Sequence, residues 1–220
     1  MNGQNEPIRR FPPAESADED GVVFVGGRVD VNSMLKSYKS GIFPWPCQYD
    51  DGTYELLWFS PNPRSILDFS DFHASTRLTR RIRRNEFEFT WNTCFEQVVF
   101  ECSQPRRADS GIWIIDELLD VYSKMHAAGH AYSIETWQDG QLVGGVFGVV
   151  VGDFYSGESM FHTRPDASKA AIVELVRQLT TDGITWLDIQ LPSEHMTRMG
   201  AKQIERSEFL LRLRQQNFDR

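Results

Sequence analysis

The segment WLDIQ, Trp186 to Gln190, sets a carboxylate and a carboxamide two residues apart in an otherwise apolar run from Ile184 to Leu191. If the run is a strand, alternation puts Ile184, Trp186, Asp188 and Gln190 on one face and Thr185, Leu187, Ile189 and Leu191, the expected core side, on the other. Asp188 and Gln190 then lie ~6.6 Å apart, within reach of each other or of one ligand. Such a pair can orient a nucleophile by hydrogen bonding and offset the positive charge that develops on it. A buried, mutually satisfied polar pair, or an edge strand facing water, would produce the same pattern without chemistry. Glu158, a second carboxylate in the strand-like GESMF, favours the functional reading.

A second constellation is cationic. In RLTRRIRR, Arg77, Arg80, Arg81 and Arg84 recur at i, i+3, i+4 and i+7, so one helical face carries four guanidinium groups while Leu78 and Ile82 face away. Such a face is either well solvated or neutralised by phosphates. Arg106 and Arg107 could extend it.

Other motifs lose their chemistry on inspection. GESMF lacks the second glycine of a nucleophile elbow. His126 and His130 have zincin spacing without the Glu, and Gly129 ends the helix between them. The glycines of VGGVFG lie in a hairpin with no helix behind them, so they mark bulges or close approach rather than a dinucleotide site.

The elements that must position these groups can be sketched from their punctuation. Residues 1–20 read as a loose polar arm. A small N-terminal α+β domain, 21–63, holds a strand ending at Gly26-Gly27, a helix over 32–39 capped by Asn32 or Ser33, Pro-rich turns, and a strand near 55–59. The larger domain, 64–220, opens with a helix started by Ser75 or Thr76. A second helix there is capped by a Thr93/Glu96 box, and a third runs over 117–128. Antiparallel strands turn at Asp139-Gly140 and Gly152-Asp153, and the helix ASKAAIVELVRQLT leads into ITWLDIQL. The expected class is α+β.

Composition bounds the partners. With 220 residues, 40% hydrophobic and a net charge of −8, the chain can bury a substantial core and is not a basic nucleic-acid coat protein, although a local basic patch is compatible. Three cysteines without CxxC spacing, no apolar signal segment and no ~18-residue apolar span suggest reduced thiols in a cytoplasmic protein.

Read in order, GIFPW, WFSPNPR, GIWI, AYSIETW, LVGGVFG, GESMF, ASK, LDIQ and MGAKQIERSEF resemble the leucyl/phenylalanyl-tRNA-protein transferases, from about Val22 to Leu213. The resemblance implies an acetyltransferase-like (GNAT) fold in the larger domain and aminoacyl-tRNA as donor of Leu or Phe, with Met a further candidate. The implied acceptors are proteins beginning with Arg or Lys, marked by transfer for N-degron proteolysis, and no cofactor or metal is implied. By motif position Asp188 and Gln190 are the catalytic pair, and Glu158 with Asp188 binds the acceptor. Trp45 and Trp113 hold the adenosine end of the tRNA, and Val146, Met160, Leu175, Leu179 and Leu187 form the aminoacyl pocket. Departures at Val146, Leu175, Leu179 and His162 leave the choice among Leu, Phe and Met open. Two rival readings are a CoA-dependent N-acetyltransferase, which the absence of glycines in FHTRPDASKAA disfavours, and a non-enzymatic RNA-binding module, which leaves the polar residues unused.

Overall fold

In the computed structural model, which describes residues 8–49, 53–104, 114–216 and 218, the described part of the expected arm carries an apolar anchor over residues 8–14, while residues 1–7 lie outside the described residues. Ile8, Phe11 and Ala14 are buried, and the Phe11 ring meets Trp58 at 4.7 Å between centroids. Polar average composition hides three apolar residues spaced three apart, and burying an Ile and a Phe is enough to fix the segment.

The first sheet is antiparallel, in the order β1 (Val22–Val25), β3 (Tyr54–Phe59), β2 (Phe43–Gln48). β2 contains Pro44 and Pro46, which by sequence alone read as turns, but it sits at the sheet's edge, where missing N–H donors cost no ladder bond. Between β1 and β2, α1 (Val31–Lys39) is capped by Asp30, ahead of the expected positions Asn32 and Ser33. The Asp30 carboxylate accepts from Ser33 N at 2.7 Å and Ser33 Oγ accepts from Asp30 N at 2.9 Å, a reciprocal capping box.

The larger sheet is built from β4 (Arg64–Asp68), β5 (Glu88–Trp91), β6 (Ala131–Gln138), β7 (Gln141–Val151), β8 (Phe154–His162), β9 (Trp186–Gln190) and β10 (Lys202–Ile204). Among the described residues its order is β10-β4-β9-β8-β7-β6-β5, antiparallel throughout except for β8 and β9. That parallel pair is joined by α5 (Ala167–Thr181), the crossover such a connection requires. Asp139 and Gly140 both adopt positive φ, 53° and 70°, as a two-residue hairpin between β6 and β7 demands. A Cβ at Gly144 would lie 2.7 Å from that of Ala167, so this strand glycine marks close approach of β7 to the start of α5.

Helices cover both faces of this sheet. α5 packs on one side together with α2 (Thr76–Arg83) and α6 (Glu194–Thr197), around Val146, Tyr155 and Leu187. On the other side lie α3 (Phe95–Ser103), α4 (Asp116–Ala127), α7 (Arg206–Arg214) and α1, around Phe147, Phe154 and Trp186. Neither face of β9 is therefore left to solvent: Trp186 stacks on Phe154 at 5.4 Å while Leu187 points into the other core. Ser75 caps α2 as expected, accepting from Leu78 N at 3.2 Å. The Thr93/Glu96 box does not form, because Cys94 stands at the cap of α3 and Thr93 N donates instead to the buried Glu135 at 3.3 Å.

Candidate active site

β8 and β9 pair only at Tyr155 with Leu187 and Ser156 with Asp188. Beyond that point a cavity of about 310 Å³ lies between them, at the small end of the usual range for ligand sites. Its apolar wall comes from Val146 on β7, Met160 on β8, Ile172 and Leu175 on α5, Leu187 on β9 and Met196 on α6. Trp45 of the N-terminal sheet lines the cavity from the side of the smaller domain. Glu158 and Gln190 supply its polar corner.

Gln190 has a φ of +70°, and a Leu191 N–H to Ile189 O bond of 2.9 Å closes a three-residue turn around it. This is the rare, strained form of γ-turn. The other non-glycine residues with positive φ among those described are Asn85, Asn92, Asp139 and Asp166, residue types that tolerate it. A glutamine has no such excuse, and strain of this kind persists only where surrounding contacts enforce it.

Those contacts start from Asp188. Its carboxylate is buried and takes two bonds from Arg64, Nε to Oδ1 at 2.9 Å and Nη2 to Oδ2 at 2.6 Å, the fork geometry of a strong ion pair. Oδ1 also accepts the backbone N–H of Gln190 at 2.9 Å. The guanidinium lies over the rings of Phe43 and Phe209, 4.7 and 4.5 Å from their centroids, and donates to Gly41 O at 3.3 Å.

Glu158 is held differently. Tyr122 Oη donates to Oε2 at 2.7 Å, and Ser156 Oγ and Gln190 Nε2 donate to Oε1 at 2.9 and 3.0 Å. Tyr122 Oη in turn lies 3.3 Å from Tyr38 Oη on α1. Burial raises the Glu158 pKa to about 6 even though these neutral donors pull it down. Burial and then the Glu158 charge push both phenols well above their ordinary value, which keeps them as donors at neutral pH. Gln190 Nε2 also reaches Ser156 Oγ at 3.2 Å, so both of its donor contacts are internal and the side-chain oxygen is the atom left for a ligand.

Of the residues expected to form the site, the cavity gathers Glu158, Gln190, Val146, Met160, Leu175, Leu187 and Trp45. Asp188 lies behind it, paired with Arg64. Leu179 does not reach it: one helical turn beyond Leu175, it borders a separate hollow with Trp91, Tyr132 and Ile184 at the far end of the sheet. Trp113, Arg106 and Arg107 lie outside the described residues.

The arginine face divides in two. Arg77 and Arg81 turn to Asp166, at 2.8 and 3.1 Å, and Arg81 also bonds Glu86 at 2.7 Å. Arg80 and Arg84, joined by Arg83, have no ion-pair partner among the described residues and line an open surface hollow with Thr76 and Thr79. Burial works to raise the pKa of Asp166, yet Arg81, Arg77 and Lys169 together hold it below the ordinary carboxylate value. It precedes α5, so the carboxylate and its three cations sit together at the N-terminus of that helix.

Sequence alone does not single out Arg64, Ser156, Tyr122 or Tyr38. Arg64 ends the motif WFSPNPR and opens the apolar run RSIL, a cation placed where a buried strand begins, which is the one local signal available. The tyrosines look like ordinary core positions of amphipathic helices, and nothing local distinguishes them.

Residues 66–214 match the model of the leucyl/phenylalanyl-tRNA protein transferase family, and residues 27–62 match that of its N-terminal domain. A leucyl/phenylalanyl-tRNA-protein transferase of Solidesulfovibrio magneticus is 45% identical over 210 residues, covering 95% of this chain and 83% of its own. One from Oleidesulfovibrio alaskensis is 43% identical over 206 residues, covering 91% and 82%. Among solved structures, L-PGS from Bacillus licheniformis overlaps with a TM-score of 0.43 at 14% identity, over 77% of this chain and 55% of that one. A GCN5-related N-acetyltransferase from Kribbella flavida overlaps with 0.40 at 9% identity, over 75% and 57%. The expected acetyltransferase-like architecture rests on the chain's own topology, an antiparallel β6-β7-β8 meander joined through α5 to the parallel β9. By sequence across nearly its whole length, the chain belongs to the leucyl/phenylalanyl-tRNA-protein transferase family of aminoacyltransferases.

Proposed function

We propose that the cavity between β8 and β9 receives the aminoacyl group of Leu-tRNA or Phe-tRNA, with Met as a further donor, and passes it to proteins beginning with Arg or Lys. The observation that carries this reading is a carboxylate and an oriented carboxamide, Glu158 and Gln190, at the polar corner of an otherwise apolar cavity.

The donor is an activated ester, and the acceptor α-amine has a reference pKa of ~7.7–8.0, so roughly a tenth to a sixth of it is neutral at pH 7. No strong base is needed, and holding the two groups in attack geometry can supply ~7–11 kcal/mol of the barrier. The amine nitrogen bonds to the ester carbon, the carbon–oxygen bond to the tRNA ribose breaks, and the amine proton ends on the released ribose hydroxyl. Gln190 Oε1 accepts a hydrogen bond from the amine and aims its lone pair. Asp188 acts through the Gln190 backbone. Glu158 attracts the acceptor's basic side chain; Asp188, assigned the same task by resemblance, already has a cation on both oxygens.

Apolar side chains of Val146, Met160, Leu175 and Leu187 would hold the aminoacyl group by size, a discrimination worth only ~1–3 kcal/mol per methyl group. Trp45 would stack on the terminal adenosine, and Arg80, Arg83 and Arg84 would meet tRNA phosphates. The product would be a substrate for N-degron proteolysis in the cytoplasm; among the described residues no helix is long and apolar enough to cross a membrane. The test is transfer of labelled Leu from Leu-tRNA to an Arg-initial peptide. Label in the peptide that RNase abolishes and acetyl-CoA neither replaces nor inhibits supports the reading. No transfer, with acetyl-CoA consumed, would favour an acetyltransferase.

A further inference from the structure

We infer that Arg64 is a positioning residue for the transfer reaction, clamping Asp188 so that the strained turn at Gln190 holds its carboxamide toward the cavity. The inference rests on the functional reading above. Three observations converge on it. Gln190 occupies a positive φ that its residue type does not favour, within a turn closed by Leu191 N and Ile189 O. The N–H of that same residue is fixed by Asp188 Oδ1 at 2.9 Å, so the side chain two residues earlier holds the turn. A lone carboxylate could swing away about its own χ angles, but here both oxygens are pinned by the two arms of one guanidinium.

The guanidinium is itself immobilised from three directions. Phe43 of the N-terminal sheet and Phe209 of α7 both pack their rings against it, and Gly41 O accepts from Nη1. Gly41 cannot carry a side chain without displacing this shell, since its φ is +76° and a Cβ would fall 2.7 Å from Leu210 and 3.1 Å from Phe209. The smaller domain and the C-terminal helix therefore both bear on the carboxamide of Gln190 through one planar cation. Arg64 does not line the cavity, so it acts on turnover through its neighbours, and among these Asp188 is the one bonded to Gln190.

Lysine keeps the charge but cannot make the fork or pack a planar group against the two rings. Arg64→Lys is expected to lower kcat for Leu transfer to an Arg-initial peptide by about 100-fold, the scale of a 1 Å misplacement. KM for the peptide and affinity for Leu-tRNA should stay within about threefold of wild type. A purely structural role would lower folded fraction, tRNA affinity and kcat together, and that joint loss overturns the inference, as does an unchanged kcat. If Arg64→Lys does not fold, Phe209→Leu takes away an aromatic contact that holds the guanidinium in register with Asp188, loosening the clamp. A lower kcat at unchanged KM then supports the inference, and an unchanged kcat refutes it. Gln190→Ala, measured in parallel, separates the two levels: transfer that survives it refutes the reading of the site, whereas transfer lost in Gln190→Ala but intact in Arg64→Lys refutes only the part given to Arg64.

Discussion

Asp188 and Glu158 stand on adjacent strands and touch opposite ends of the same glutamine, yet they are built for different work. Asp188 accepts from the Gln190 backbone and is matched by a guanidinium in the same buried layer. Glu158 accepts from the Gln190 side chain and is surrounded by hydroxyls and an amide, with no cation bonded to it among the described residues. A carboxylate whose cation is built in contributes geometry. One held by neutral donors at a cavity wall keeps its charge available for a cation that arrives with the substrate.

The comparison breaks most visibly if one partner of the matched pair is removed. Arg64→Ala should cost ~3–5 kcal/mol of stability, because it strands a buried carboxylate, and denaturant unfolding measures it. Glu158→Gln should not destabilise at pH 7. The Glu158 pKa is raised from 4.5 to about 6, so its carboxyl favours the folded state fully below about 4.5 and loses that contribution as pH rises through about 6. A similar loss for both variants would erase the distinction.

Catalysis ranks next. Gln190→Ala should reduce turnover by about 10²-fold, at the lower end for a group that handles a proton in the transition state, with tRNA affinity unchanged in a filter-binding assay. Glu158→Gln should instead raise KM for Arg-initial peptides by about tenfold to a hundredfold, equivalent to the ~1.5–3 kcal/mol of a charged hydrogen bond. Wild-type enzyme that used an Ala-initial peptide equally well would remove the cation-binding role of Glu158.

The pH profile sharpens the same point with a smaller effect. Binding a cationic acceptor requires ionised Glu158, so kcat/KM should climb as pH rises through about 6 and keep climbing as the α-amine deprotonates. Glu158→Gln should delete the lower inflection and leave the upper one. The smallest change is expected on the arginine face. Reversing the charges of Arg80, Arg83 and Arg84 should flatten the salt dependence of tRNA binding by ~0.7–0.9 for each phosphate no longer neutralised. Altering Arg77, whose guanidinium already pairs with Asp166, should flatten it less.

Much of the scaffold is legible in the sequence because its signals are local. Ser75 caps α2, Asp139-Gly140 turns the β6-β7 hairpin, and the α5 periodicity runs as far as Asp182-Gly183. Sequence expectations fail where a distant neighbour overrides a local signal. The prolines of β2 are tolerated because β3 pairs with it on one side only, and Ile8, Phe11 and Ala14 are ordered by a core built mostly from later residues. Leu179 shares a helical face with Leu175 yet faces another hollow, because the sheet beneath α5 changes along the helix.

The sequence by itself determined that Asp188 and Gln190 share a strand, that Glu158 stands on another, and that the chain has the motif order of its family. Alternation and residue type are properties of neighbours along the chain, and neighbours are what a sequence spells out. Only the tertiary structure decided that Asp188 is spoken for by Arg64, 124 residues away, that Gln190 turns at positive φ, and that Glu158 is held by neutral donors. Each of these depends on what lies across the sheet, and the free energy of a buried charge is set by its partner in space rather than by its place in the chain.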